Sequence, residues 1–131
     1  MGIGEVGELL RKSTVHIRSG RGRNPGSGSG IIWHSTGTIL SNAHVVGPGQ
    51  DIQIDLWDGR SFPAKLESRD VVRDLARLSV NTFGLPAISQ RDSAVRPGEF
   101  AIAVGNPLGF TGAMTRGTVH SLGPFPLSWR R

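Results

Sequence analysis

Glycine and proline are spread along the whole chain, and this feature limits the possible folds more than any other. The 131 residues include nineteen Gly and eight Pro. Both types are costly inside helices, because proline lacks a backbone donor and glycine has the most conformational freedom to lose. Since they follow no collagen-like period, they predict many short elements joined by turns. The sequence therefore indicates an all-β fold.

Apolar residues recur at every second position after residue 12, whereas the segment before it has a helical spacing. Residues 4–12 predict a short helix, because their apolar members fall on one side. In the next segment Val15 and Ile17 alternate with polar neighbours, which is typical of a half-buried strand. The other predicted elements are a loop over 21–28, a hairpin over 30–46 turning at 34–37, a hairpin over 51–68 turning at Asp58-Gly59, and a strand over 74–80.

The predicted strands fall into two groups of unequal size. Residues 13–80 hold about six strands, enough to close a small barrel. Residues 81–97 are polar, contain two Pro and predict a connection between two lobes. Only about two strands follow, over 99–106 and 113–123, and two strands are not stable alone in water. The predicted organisation is an N-terminal helix or extension over 1–12, a first barrel over 13–80, a connection over 81–97 and an incomplete second barrel over 98–131.

Charge and cysteine content exclude several classes of protein. The net charge is +5, but the thirteen Arg residues that carry most of the positive charge are scattered, and among them only Arg21/Arg23 and Arg130/Arg131 are paired. This distribution favours a solvated surface over a phosphate-binding patch, so no nucleic-acid partner is expected. The chain has no Cys, which excludes disulfides, thiol chemistry and cysteine-based zinc sites.

The sequence leaves the compartment open. No apolar run approaches the roughly 18 residues that a membrane-spanning helix needs, so no span is expected. Residues 1–13 lack the basic start, apolar stretch and small-residue cleavage site of a secretory leader. Two interpretations remain: a cytoplasmic protein, or an exported one whose signal is missing from these residues.

Three stretches together carry a family resemblance. They are GSGSGIIWHSTGTILSNAHVV (26–46), DIQIDLWDGRSFPAKLESRDVVRDLARLSV (51–80) and VRPGEFAIAVGNPLGFTGAMTRGTVHSLG (95–123). In this order and spacing they resemble the HtrA/DegP branch of the trypsin-like serine proteases, over roughly residues 12–123. The resemblance implies a trypsin-like double β-barrel, with the first barrel complete and the second only begun.

Two residues match the family's catalytic positions. His44, in the segment SNAHVV, matches the catalytic histidine, and Asp74, in RDLA, matches the catalytic aspartate. A serine hydroxyl is a weak nucleophile until a neutral imidazole takes its proton, and a carboxylate on the other ring nitrogen orients that imidazole. Asp70 competes with Asp74, but it has the character of a turn residue, whereas Asp74 directly precedes an apolar strand. The order His then Asp agrees with the chymotrypsin type, in which Ser comes last.

No serine matches the nucleophile. The chain has no G-x-S-x-G, and Ser27 and Ser29 belong to a segment that leads into a strand, where Gly28 and Gly30 are expected to permit close packing. Residues 105–109 match the family's G-N-P-x-G turn, in which Pro107 has no hydroxyl. By the resemblance, the Ser, its oxyanion amides and the specificity pocket are expected beyond residue 131.

Other residues match no chemistry or depart from the family's pattern. Three further histidines, His16, His34 and His120, match no partners and are interpreted as surface or core residues, so a three-His metal site is unsupported. Arg77 occupies a position where the family usually has an apolar residue. The tail over 124–131 also departs from the family's pattern.

The sequence thus predicts part of a serine endopeptidase of the HtrA type, inactive as these residues alone. By the resemblance, its partners are polypeptide substrates such as unfolded proteins, often in a periplasmic compartment, and no metal or organic cofactor is implied. The alternative is a non-catalytic pseudoprotease or half-domain that binds unfolded protein, a second copy or a complementing chain. That alternative depends on an uncovered apolar face formed by Phe100, Ile102, Val104 and Val119.

Overall fold

Strands dominate the computed structural model, which describes residues 2–20, 26–47, 51–105 and 113–119. Pro107, His120 and the tail over 124–131, all singled out in the sequence, lie outside the described residues. The elements in chain order are α1 (Ile3–Lys12), β1 (Thr14–Ser19), β2 (Gly26–His34), β3 (Thr38–Ser41), α2 (Ala43–Val46), β4 (Ile52–Asp55), β5 (Ser61–Asp70), β6 (Leu75–Val80), β7 (Phe100–Gly105) and β8 (Ala113–Thr118).

The first six strands close into a barrel. Their order is β1-β2-β3-β6-β5-β4, every pair is antiparallel, and β4 returns to pair with β1. Closure leaves no unpaired strand edge within this sheet. The two predicted hairpin turns are confirmed, because the Gly37 N–H donates to the His34 carbonyl at 3.1 Å and the Gly59 N–H to the Leu56 carbonyl at 3.1 Å. The predicted all-β fold with a closed first barrel is confirmed.

Alternate residues of the strands fill the barrel interior. On β1, Val15 and Ile17 are fully buried while Arg18 is exposed, as the period of two predicts. Arg77 lies on the outer face of β6 between buried Ala76 and Leu78, so its charge does not enter the core. The largest fully buried side chains are Ile17, Ile32, Ile39, Ile54, Leu78, Val15 and Val46.

The predicted loop over 21–28 is wrong at its end, because β2 already begins at Gly26. Gly26 pairs with Ser19 and Gly28 pairs with Ile17 in the ladder to β1. A Cβ atom at Gly28 would lie 2.6 Å from Val45 Cγ2, and one at Gly30 would lie 2.7 Å from Ile17 Cδ1. The expected close packing at Gly28 and Gly30 is therefore confirmed: these glycines mark a crowded strand rather than a turn.

The N-terminal helix lies beside the barrel. It spans Ile3–Lys12, one residue longer at its start than predicted, and buries none of its residues fully. Its last two side chains lie over the Trp57 ring, with Arg11 Cζ at 5.7 Å and Lys12 Nζ at 5.2 Å from the ring centroid. Cations over an indole face are attracted by its quadrupole, so Trp57 anchors the end of α1.

Residues 81–99 contain no helix or strand, yet they are attached to the barrel. The Leu85 N–H donates to the Ser35 carbonyl at 3.1 Å, and the Ile88 N–H donates to the Ile32 carbonyl at 3.0 Å. Beyond this segment β7 and β8 form a separate antiparallel sheet. The strand predicted over 113–123 ends at Thr118. Among the described residues, no helix has the length and apolar character needed to cross a membrane.

Candidate active site

The short helix α2 presents His44 on the outside of the barrel. Three of its four residues are buried against the barrel, namely Ala43, Val45 and Val46. The His44 side chain, which points the other way, is 71% exposed. The chain therefore buries three small apolar side chains and displays one imidazole.

Neighbouring residues hold α2 in place, since a single turn of helix has few hydrogen bonds of its own. The buried Ser19 hydroxyl donates to the Val45 carbonyl at 2.7 Å. Arg69 Nε, from β5, donates to the Ala43 carbonyl at 3.3 Å. The Val45 side chain sits directly above Gly28. All of these contacts come from barrel strands, so the barrel fixes the position of the imidazole.

Asp74 ends the turn between β5 and β6. Its N–H donates to the Val71 carbonyl at 3.3 Å, and its backbone adopts the left-handed conformation, with φ +55°. Asp70 shapes the same turn by accepting the Arg73 N–H at 3.0 Å. From the other side, the Asn42 side-chain amide donates to the Asp74 carbonyl at 2.9 Å.

The two predicted residues meet through both oxygens of one carboxylate. His44 Nδ1 lies 2.6 Å from Asp74 Oδ2, and the His44 backbone N–H donates to Asp74 Oδ1 at 2.9 Å. An ionised carboxylate only accepts hydrogen bonds, so the proton of the neutral ring resides on Nδ1. Nε2 then carries a lone pair, and the exposed imidazole is oriented as a base.

The environment keeps Asp74 ionised. The backbone N–H of His44 is the main cause that lowers the pKa of Asp74, and the His44 side chain lowers it further, while partial burial opposes both. Hydrogen bonds to a charged carboxylate favour the charged form. Asp74 is therefore a carboxylate near neutral pH, and its two oxygens face the backbone N–H and the ring Nδ1 of His44.

The other residues weighed in the sequence lie elsewhere. Asp70 does not pair with His44 but caps its own turn. His16 lies on β1 opposite Asp55, and His34 is exposed at the end of β2. Among the described residues no group of three His, Cys, Asp or Glu side chains is placed to hold a metal ion.

Sequence reasoning missed the residues that position the pair. Asn42, Arg69 and Ser19 each donate a side-chain hydrogen bond to a backbone carbonyl of α2 or of Asp74. Only Asn42 offered a signal, since it stands two residues before His44. Its partner is thirty-two residues away in the chain, and a local pattern does not reveal such a contact.

Comparisons with known proteins agree with this architecture. The family described as "Trypsin-like peptidase domain" matches residues 28–131. The mitochondrial serine protease HTRA2 of Drosophila persimilis is 39% identical over 113 residues, covering 82% of this chain and 26% of that protein. The putative serine protease HhoB of Synechocystis is 39% identical over 102 residues, covering 77% of this chain and 24% of that protein. The chain thus spans about a quarter of the length of these relatives.

A solved structure extends the likeness to the fold. The crystal structure of the serine endoprotease from Yersinia pestis superposes with a TM-score of 0.86 at 26% sequence identity. The match covers 94% of this chain and 46% of that one. The predicted trypsin-like architecture is confirmed by this superposition.

Proposed function

Because the chain belongs to the trypsin-like peptidase family and is similar to the HtrA serine proteases, we propose that His44 and Asp74 are the general base and the orienting carboxylate of a serine endopeptidase. The observation that carries this proposal is the 2.6 Å contact between His44 Nδ1 and Asp74 Oδ2. It holds the ring in the tautomer that a base needs. The proposed substrates are polypeptides.

In the proposed reaction, His44 Nε2 takes the proton of a serine hydroxyl as its oxygen attacks the peptide carbonyl. The imidazolium that forms is stabilised by the negative charge of Asp74, which stays ionised throughout. The imidazolium then gives its proton to the leaving amine. Asp74 thus acts through His44, by orientation and charge.

We place the nucleophile outside these 131 residues. Two serines beside α2 are already engaged, because Ser19 donates to the Val45 carbonyl at 2.7 Å and Ser41 donates to the Ser29 carbonyl at 2.8 Å. The sequence also contains no G-x-S-x-G segment. The 131 residues alone are then inactive, and a serine-directed fluorophosphonate probe should leave them unlabelled. Stoichiometric labelling of one serine would contradict this placement.

The roles of the pair are tested in the protein expressed from the longest reading frame that contains these residues, with casein as the substrate. Asp74→Asn should lower kcat by about four orders of magnitude, as expected when the orienting carboxylate of a triad is neutralised. His44→Ala should lower it at least as far. The matched controls are Asp70→Asn in the same turn and His34→Ala on the surface. Both should retain activity, because the side-chain oxygen of the substituted asparagine can still accept the Arg73 N–H and His34 lies outside the site. Equal activity of Asp74→Asn and Asp70→Asn would refute the assignment.

The alternative function is a non-catalytic half-domain that binds a second chain. On this proposal β7 and β8 begin a second barrel that another chain completes. It is favoured by apolar side chains that remain partly open to solvent, with exposed fractions of 42% at Ile31, 50% at Leu75 and 55% at Phe100. Light scattering at protein concentrations of about 1 to 100 µM, which span the Kd values of weak complexes, should then show association. A monomer throughout would count against this function.

A further inference from the structure

Asn42 lies at the junction between β3 and α2, where its side chain would ordinarily cap the helix. An N-cap asparagine usually accepts the backbone N–H of the second or third helical residue. Asn42 has the extended backbone of a cap, with φ −95° and ψ 145°. The structure describes all of α2, and the Asn42 side chain makes no capping hydrogen bond to it. Its amide instead donates to the Asp74 carbonyl at 2.9 Å. The side chain therefore joins the segment that carries His44 to the turn that carries Asp74.

The Asp74 backbone needs such a contact. Its φ of +55° lies in the left-handed region. This conformation is unfavourable for residues other than glycine, although aspartate tolerates it better than most. A residue persists there when its surroundings fix it. The bond from Asn42 fixes the peptide group that follows the Asp74 Cα atom, and thereby the direction in which the carboxylate leaves the backbone.

We propose that Asn42 is a positioning residue, which aligns the Asp74 carboxylate with the backbone N–H and ring Nδ1 of His44 by holding the Asp74 carbonyl. Asn42 touches no reacting atom and acts only through Asp74. Its importance for catalysis rests on the proposed function. The alignment itself is a property of the 131-residue chain and is measurable without any activity.

The test is the tautomer of the neutral His44 ring, read from its ¹⁵N chemical shifts in the 131-residue protein. With Asp74 aligned, the Nδ1–H form should dominate. Asn42→Ala removes one neutral hydrogen bond, so the ratio of Nδ1–H to Nε2–H should fall by about five-fold. The ratio should fall equally in Asn42→Ser, because serine is a good N-cap but is too short to reach the Asp74 carbonyl. The matched control is Asn81→Ala, at an exposed position after β6, and it should leave the ratio unchanged.

The outcomes separate Asn42 from the pair itself. A wild-type ratio in Asn42→Ser, with a lowered ratio in Asn42→Ala, would mean that Asn42 only caps α2 and would overturn the proposal. Unchanged ratios in both variants would overturn it as well. If Asn42→Ala does not fold by its ¹H–¹⁵N spectrum, Asn42→Ser alone decides.

A second background checks that Asn42 acts through Asp74. Asp74→Asn should itself shift the ring towards Nε2–H, because a side-chain amide can donate to Nδ1. In that background Asn42→Ala should no longer lower the ratio, and a further fall would overturn the proposal. If Asp74→Asn leaves the tautomer unchanged, the proposed His44–Asp74 function fails too. If the ratio changes in Asp74→Asn but not in the Asn42 variants, only the role of Asn42 is refuted.

Discussion

Gly28→Ala should disturb the pair from the far side of α2. The added Cβ would lie 2.6 Å and 2.8 Å from the two methyl carbons of Val45 and 3.3 Å from its Cβ. Rotation of Val45 does not relieve the crowding, because both methyl groups and the Cβ face the glycine. Raising the shortest distance to an ordinary 3.4 Å requires a movement of about 0.8 Å, and Val45 directly follows His44.

The expected cost is that of an overpacked core, about 1–3 kcal/mol of the free energy of unfolding. Urea unfolding followed by circular dichroism would measure this cost, provided that the m-value, the slope of the free energy of unfolding against urea concentration, is unchanged. The ¹⁵N tautomer ratio of the His44 ring should fall in the same variant, because α2 has to shift. Gly4→Ala is the matched control: nothing lies within 4 Å of its Cβ, and in helix α1 it should stabilise by up to about 1 kcal/mol.

The double variant Gly28→Ala, Val45→Ala tests the reasoning itself. Val45→Ala removes the two methyl groups that meet the new Cβ, so the two changes should be less destabilising together than the sum of the separate effects. Simple additivity would show that the cost of Gly28→Ala arises elsewhere. An unchanged stability of Gly28→Ala alone would refute the crowding argument.

Three further predictions concern the pair, the core and the N-terminal helix. The pKa of Asp74 is lowered in the fold, chiefly by the His44 N–H. The Asp74 carboxylate should therefore contribute fully to stability above the ordinary aspartate pKa, and this contribution should be lost as pH falls through the lowered value. In urea unfolding, Asp74→Asn should remove that part of the acid dependence. Ile17→Ala should cost about 2–5 kcal/mol in the same assay, because it leaves a cavity in a fully buried site, while Ile3→Ala in α1 should cost far less, since Ile3 is 46% exposed. Trp57→Leu removes the ring beneath Arg11 and Lys12, so amide hydrogen exchange should accelerate in α1 and not in β6.

The elements of the barrel were predictable because local chemistry determines them. Val15 and Ile17 are buried as their alternation predicts, and the Asp58-Gly59 turn lies where the dipeptide indicates. The pairing of β1 with β4 and of β3 with β6 joins distant segments, and no local pattern contains it. The number of strands therefore suggested a closed barrel, whereas their order required the structure.

The loop predicted over 21–28 is wrong at residues 26–28 for a physical reason. Glycine occurs both where the backbone must turn and where another group must come close, and its composition signal is the same in both cases. Here the strand pairs regularly with β1, and the space above it is filled by Val45. The group that crowds Gly28 belongs to α2, seventeen residues further along the chain, and no local pattern identifies it.

The geometry of the His44–Asp74 pair depends on residues of the first barrel and its turns. Ser19, Gly28 and Arg69 hold α2, while Asn42 and Asp70 hold the turn that ends at Asp74. None of these contacts involves β7 or β8. We therefore expect the base and its carboxylate to form as a unit before any second barrel packs beside them. On the proposed function, the exposed His44 imidazole is then available to take the proton of a serine nucleophile.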